Sequence, residues 1–273
     1  MRYFRRHFGP GRMVLSVVGD VDPERVSLKF RQLFGVAARS SNAPPKVIAE
    51  PPRAEAEDVF LPLKKEQAHL VVGYPGTTMK RKDRYALEVL ASILSGQSGR
   101  LFLELRERRG LAYNVGAFSM EGLEPGYFAI YLATSPGNLG AALEGIQAEV
   151  ARTRAKPVSS AELKRVQRYM VGSFETSLQR KSSVAALLAF GEIYGLGHEG
   201  YHKYAASVMA VTPEAVQKAA RRYLRADRKV VAVVKPEEFS PAAAKKLASD
   251  KRAGVVKEAA KPPKRKRRKK KKR

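Results

Sequence analysis

Between residues 58 and 240 the chain alternates strand-length apolar runs with stretches of helical period. That order restricts the fold to a sheet carrying its helices on one face. Asp58 to Leu63 and Ala68 to Tyr74 read as strands, and Pro75-Gly76 turns the chain after them. Tyr85 to Leu94 repeats apolar residues at helical spacing, and Ser95-Gly96-Gln97-Ser98-Gly99 interrupts it. A helix resumes over Arg100 to Arg108, and Gly110 supplies its stop. Ala112 to Met120 and Gly126 to Ala133 are two further strands, and the turn-like Glu121 to Pro125 between them predicts an antiparallel pair. Helices then follow over Leu139 to Lys156, from the capping sequence Ser159-Ser160-Ala161-Glu162 to Leu178, over Val184 to Tyr194, and from Thr212-Pro213-Glu214 to Leu224. Val230 to Val234 is a closing strand. The predicted class is α+β, a two-layer, mostly antiparallel sheet with helices packed on one face. Upstream, Met13 to Gly19 is an apolar run of strand length, followed by a helix that Asp22 caps, Pro23 opens and Glu24 supports, ending near Phe34. Residues 37–57 are rich in Ala, Ser, Pro and Arg without period and read as a linker.

The charge is lopsided. Lys251 to Arg273 holds 14 Lys/Arg and one glutamate, a surplus of 13 within a total of +26, and Lys264 to Arg273 is ten basic residues in a row. Such a block repels itself and has no apolar surface to bury, so residues 241–273 are predicted to form a disordered basic tail. The absence of cysteine excludes disulfides and thiolate metal sites. No apolar run reaches the 18 or so residues of a membrane span. Met1 to Gly11 is basic and aromatic, unlike a signal peptide, which leaves the cytoplasm as the default compartment with nothing positive to name it.

Several segments carry a resemblance. Phe8-Gly9-Pro10-Gly11-Arg12-Met13-Val14-Leu15-Ser16-Val17-Val18-Gly19-Asp20-Val21-Asp22-Pro23-Glu24, the stretch Lys65 to Gly76, Val211 to Gln217 and above all Ser98-Gly99-Arg100-Leu101-Phe102-Leu103-Glu104-Leu105-Arg106-Glu107-Arg108-Arg109-Gly110-Leu111-Ala112-Tyr113 resemble the pitrilysin/insulinase family of metallopeptidases. That family includes the mitochondrial processing peptidases and their non-catalytic relatives. The resemblance implies that residues 1–36 close an incomplete first α/β subdomain and that residues 58–240 form the C-terminal α/β subdomain of a peptidase module. It implies substrate-binding roles for Arg106 and Tyr113, which stand at the family's arginine and tyrosine positions, with Phe102 one helical turn before Arg106 as their apolar support. The chemistry suits those roles. Arginine offers a permanent charge and a fork of donors, tyrosine one hydroxyl donor, and both stabilise a peptide carbonyl or a developing oxyanion when aimed at it. Without the resemblance, the same residues describe a surface arginine on a basic helix and a tyrosine entering a strand.

The family's zinc site requires His-x-x-Glu-His. The four histidines, His7, His69, His198 and His202, do not form it, so no catalytic and no metal-ligating residue is assigned and the chain is expected to bind no cofactor, zinc belonging to a partner half. His198-Glu199-Gly200-Tyr201-His202 does spell His-Glu-x-x-His, in the zincin order. Gly195, Gly197 and Gly200 weaken a helix there, no histidine follows His202, and nothing singles out a third ligand such as Glu214. Gly96 and Gly99 lack the Gly-Lys-Ser/Thr ending of a phosphate loop. Asn138 reads as a turn before a helix. The resemblance therefore implies a non-catalytic, substrate-binding C-terminal half of a zinc endopeptidase module, inactive alone, whose partners are a zinc-bearing subdomain or subunit and a peptide. The alternative is nucleic-acid or anionic-surface binding through the polybasic tail, which lacks the interleaved aromatics of a base-stacking platform.

Overall fold

A computed structural model of the chain describes residues 13–35, 51, 53–63 and 66–236. The basic tail, most of the linker, His7 and residues 8–12 of the first resembling stretch lie outside the described residues. Five strands form one sheet: β1 (Glu57–Pro62), β2 (Ala68–Pro75), β3 (Asn114–Met120), β4 (Tyr127–Thr134) and β5 (Val230–Lys235), in the order β1-β5-β2-β4-β3. The ladders β5–β2, β2–β4 and β4–β3 are antiparallel, as the turn chemistry predicts, whereas β1 and β5 run parallel. The parallel pair arises because the last strand inserts between the first two.

The strand period of two sorts the faces. Leu70, Val72 and Tyr74 of β2 pair with Leu132, Ile130 and Phe128 of β4, and all six are buried on the helical side. On the opposite face His69 Nδ1 lies 2.9 Å from the Tyr131 hydroxyl. Seven α-helices occur among the described residues. The first, α1 (Pro23–Phe34), buries no residue, and the Asp22 carboxylate caps it at the Glu24 and Arg25 amides. The central helix is α2 (Arg84–Leu94), whose Leu87, Leu90, Ile93 and Leu94 are fully buried beneath the sheet. Around it stand α3 (Leu139–Ala155), α4 (Ser160–Ser177), α5 (Lys181–Ile193), α6 (Tyr204–Met209) and α7 (Pro213–Tyr223). Thr212 caps α7 at the Ala215 amide. Buried Gln167 of α4 donates to the carbonyls of Val208, Met209 and Val211, satisfying the end of α6.

Two expectations need correction. Met13 to Gly19 is not a strand; its residues alternate in exposure, but none of the described residues runs alongside to supply a ladder. Among the described residues its Ser16 hydroxyl donates to the Ala185 carbonyl of α5. The helix expected over Arg100 to Arg108 is π-helical from Phe102 to Arg108.

On the flank of α2, burial pushes the Glu88 carboxyl up to about 7, with repulsion from Glu121 adding to it and Arg84 and a Tyr204 hydrogen bond opposing it. The folded chain then keeps a proton on Glu88 over the range from pH 4.5 to 7, where the unfolded chain has already lost it. Stability attributable to this group therefore falls as pH rises through that window, by about 3 kcal/mol in all, and is flat above it. Urea unfolding of wild type and Glu88→Gln at pH 5, 6, 7 and 8 checks this. The difference between the two should swing toward the variant as pH rises; a constant difference refutes the assignment.

Candidate functional site

The site grows from the segment that joins α2 to β3. Leu101 and Leu105 are fully buried, and their four-residue spacing turns Phe102 and Arg106 toward the surface together. Within the π-helical turn the Arg109 amide donates to the Glu104 carbonyl, five residues back, at 3.2 Å. Gly110 then adopts φ of +59°, a left-handed conformation that costs a side-chain-bearing residue about 1–2 kcal/mol, and turns the chain into β3. The Leu111 amide donates to the Leu105 carbonyl at 2.7 Å and the Thr134 hydroxyl donates to the Leu111 carbonyl, fixing the turn to both neighbours. The Tyr113 amide donates to the Ala133 carbonyl at 3.1 Å, which sets Tyr113 at the start of edge strand β3.

The three residues singled out in the sequence meet. The Arg106 guanidinium carbon lies 4.8 Å from the Phe102 ring centre and 5.7 Å from that of Tyr113, within the range of cation–π attraction. Phe102 packs against the core, whereas Tyr113 is 74% exposed and the Arg106 side chain 43% exposed. The only acid near the guanidinium among the described residues is Glu107, at 3.9 Å from Nε, too far for a hydrogen bond. The patch thus presents a fork of donors and a phenol to solvent.

An anchor under this segment escapes a reading of the sequence. Arg100 Nε and Nη2 donate to both oxygens of Glu162 at 2.8 and 2.6 Å, with side chains only 13% and 17% exposed. Glu162 reads as the reciprocal partner of a capping box. Ser159 does accept the Glu162 amide at 3.2 Å, but the carboxylate is turned to Arg100, 62 positions away, and no local spacing announces that.

The His-Glu-x-x-His stretch is a 3₁₀ helix, His198–Lys203, not an α-helix that would stack both imidazoles on one side. The Glu192 carboxylate accepts the His198 amide and lies 2.8 Å from its Nδ1, and His202 packs on the Tyr201 ring. No group of three His, Cys, Asp or Glu among the described residues is placed to hold a metal ion. No described helix is long and apolar enough to cross a membrane.

Among the described residues, a mixed five-stranded sheet with helices on one face carries the Arg106–Tyr113 patch at the start of an outer strand. The chain belongs to the peptidase M16 inactive domain family, whose model matches residues 1–170, and the pitrilysin/insulinase resemblance holds. It is 28% identical over 249 residues to an uncharacterised zinc protease of Streptomyces coelicolor, covering 88% of this chain and 54% of that protein. Against the uncharacterised zinc protease YmxG of Bacillus subtilis it is 28% identical over 242 residues, covering 88% and 58%. The chain thus spans about half the length of the curated relatives it matches. The fold matches a protease from Helicobacter pylori with a TM-score of 0.75, at 22% identity and covering 80% of this chain and 54% of that one. It matches a peptidase M16 inactive domain from Pseudomonas fluorescens with a TM-score of 0.70, at 23% identity and covering 80% and 52%.

Replacing Glu162 with Ala strands a largely buried guanidinium while leaving the Ser159 cap intact. The expected loss is about 2 kcal/mol or more, up to the 3–5 kcal/mol of broken buried pairs, read as a lower urea midpoint with an unchanged slope. A shift under about 0.5 kcal/mol, the size of an ordinary surface substitution, contradicts the anchoring role.

Proposed function

We propose that this chain is the substrate-binding, non-catalytic C-terminal half of a zinc endopeptidase module, in which Arg106 and Tyr113 hold a peptide opposite a zinc-bearing half supplied elsewhere. On this reading residues 1–36 close the first subdomain and residues 58–240 form the second. The observation that carries it is the convergence of Arg106 on the Phe102 and Tyr113 rings in an open patch beside an edge strand. Phe102 restrains the guanidinium by stacking, which leaves its N–H fork and the Tyr113 hydroxyl available to a peptide carbonyl. The charge is permanent, so the pair needs no proton change to stabilise an oxyanion.

Hydrolysis of an unstructured fluorogenic peptide by the complex of this chain with its zinc-bearing half tests the reading. Arg106→Ala and Tyr113→Phe should each lower kcat/KM by about 10²–10³, the loss of one transition-state donor, with zinc content and the unfolding midpoint unchanged. Phe102→Leu should give a smaller loss, since it only loosens the arginine. Full activity in both Arg106→Ala and Tyr113→Phe sinks the proposal.

The ten consecutive basic residues favour a second, separable reading in which the tail binds polyanions. Binding through it neutralises phosphates without reading bases, so affinity for duplex DNA should fall steeply with salt. Deleting residues 256–273 should abolish most of that affinity and flatten the salt slope. Unchanged affinity after the deletion dismisses the tail.

A further inference from the structure

A cavity of about 790 Å³ opens between the start of α2, the C-terminal half of α4, the end of α5 and the turn leading to α6. Its size falls in the range of small-ligand pockets, about 300–1,000 Å³. Half-buried Tyr85, Phe174, Tyr194 and Tyr204 line its body, with Phe190 exposed at its edge. The rings are ordered against one another: Phe174 lies 4.5 Å from Tyr204, and Phe190 stacks on Tyr194 with planes 6° apart.

The charges lie outside the rings. Lys80, Lys82 and Lys203 are exposed around the cavity and have no ion pair among the described residues. The other cations are engaged, Arg81 with Asp83 and Arg84 with the Tyr85 hydroxyl at 2.7 Å. Of the two lining acids, Glu121 accepts the Ser119 hydroxyl at 2.6 Å, and Glu88 has its carboxyl pushed up to about 7 by burial. The cavity therefore offers an aromatic body and a surplus of ammonium groups.

The backbone narrows the anion. The glycine-rich turn on one wall would be the natural place for a nest of amides cradling a phosphate. Its amides are already spent: Leu196 and Gly197 donate to the Gly191 carbonyl, Gly195 to Glu192 and Gly200 to Gly197. Gly191 permits this closure, since a Cβ there would stand 2.5 Å from the Gly197 oxygen. Without a nest of amides the anion is left to lysine side chains acting as point charges, which suffice for the single charge of a carboxylate.

We propose that this cavity binds the carboxyl-terminal end of a peptide, seating a large aromatic or aliphatic side chain among Tyr85, Phe174, Tyr194 and Tyr204 and its free carboxylate at Lys80, Lys82 and Lys203. The site is separate from Arg106 and does not rest on the peptidase reading.

The chain contains no tryptophan, so a tryptophan ligand reports its own binding by fluorescence. The full chain is titrated with N-acetyl-L-tryptophan, with its neutral amide N-acetyl-L-tryptophanamide, and with adenosine 5′-monophosphate as competitor. The carboxylate should saturate with a Kd below about 1 mM and the amide should bind at least tenfold more weakly. Lys82→Ala combined with Lys203→Ala should remove the preference for the carboxylate, and Phe190→Ala should weaken both ligands. These side chains are exposed, and circular dichroism establishes that the variants fold. Arg106→Ala should leave the titration unchanged. Absence of saturation, equal affinity for acid and amide, tighter binding of the nucleotide, or loss of binding in Arg106→Ala each overturns the proposal.

Discussion

The arrangement of the site depends on one close approach, the seating of Leu105 against the bare backbone of α3 at Gly145. A Cβ at that glycine would stand 2.3 Å from Leu105 Cδ2, so the leucine occupies the space a side chain there would need. With Leu101 it pins the inner side of the π-helical segment to the core, both residues being fully buried. Burying two leucine side chains contributes about 3–6 kcal/mol, far more than the cation–π contacts above them, each about 0.5–1 kcal/mol when exposed. Packing therefore fixes where Phe102 and Arg106 stand, and the contacts between them only restrain the guanidinium once it is there.

Polar ties set register where packing alone leaves it open. The Arg100–Glu162 pair joins the start of the π-helical segment to the first turn of α4, and Gln167, one turn beyond, holds the end of α6. Desolvating a pair of charges offsets much of their attraction, so such a pair adds little net stability compared with apolar residues of the same shape. Its worth lies in the asymmetry: with one partner gone, the other is left buried and unpaired. The two elements therefore tolerate few relative displacements. That rigidity is what a site built from one side chain on a helical turn and another at a strand start requires.

Much of this was legible in the residues. Period and turn chemistry gave the helical elements α2, α3, α4, α5 and α7 and the five strands of the sheet to within a few positions, whereas Arg106, Tyr113 and Phe102 stood out only through the family resemblance and not through their spacing. The rest was hidden for physical reasons. A strand is defined by its neighbour, and the apolar run Met13 to Gly19 has none among the described residues. The six-residue α6 is too short to show a period. The parallel β1–β5 ladder joins segments about 170 positions apart, and no local pattern encodes that pairing. The aromatic cavity assembles rings from residues 85 to 204, separations over which no local period reports.

The edge of the sheet bears on how a peptide could be held. β3 is an outer strand, and an outer strand ordinarily invites an extended chain to add to it by backbone pairing. Here Ser95, at the end of α2, fills that position: its hydroxyl donates to the Ala117 carbonyl at 2.6 Å and accepts the Ala117 amide. Both outward backbone groups of Ala117 are thereby satisfied midway along β3, and an incoming strand would have to displace them without an evident gain. Backbone pairing along the whole edge is disfavoured, whereas the start of β3, where Tyr113 projects beside Arg106, carries no such plug from Ser95. On the proposed reading, a peptide would therefore meet side-chain donors at one end of the strand and not backbone groups along its whole edge. The Ser95 plug also protects an exposed edge from pairing with other chains.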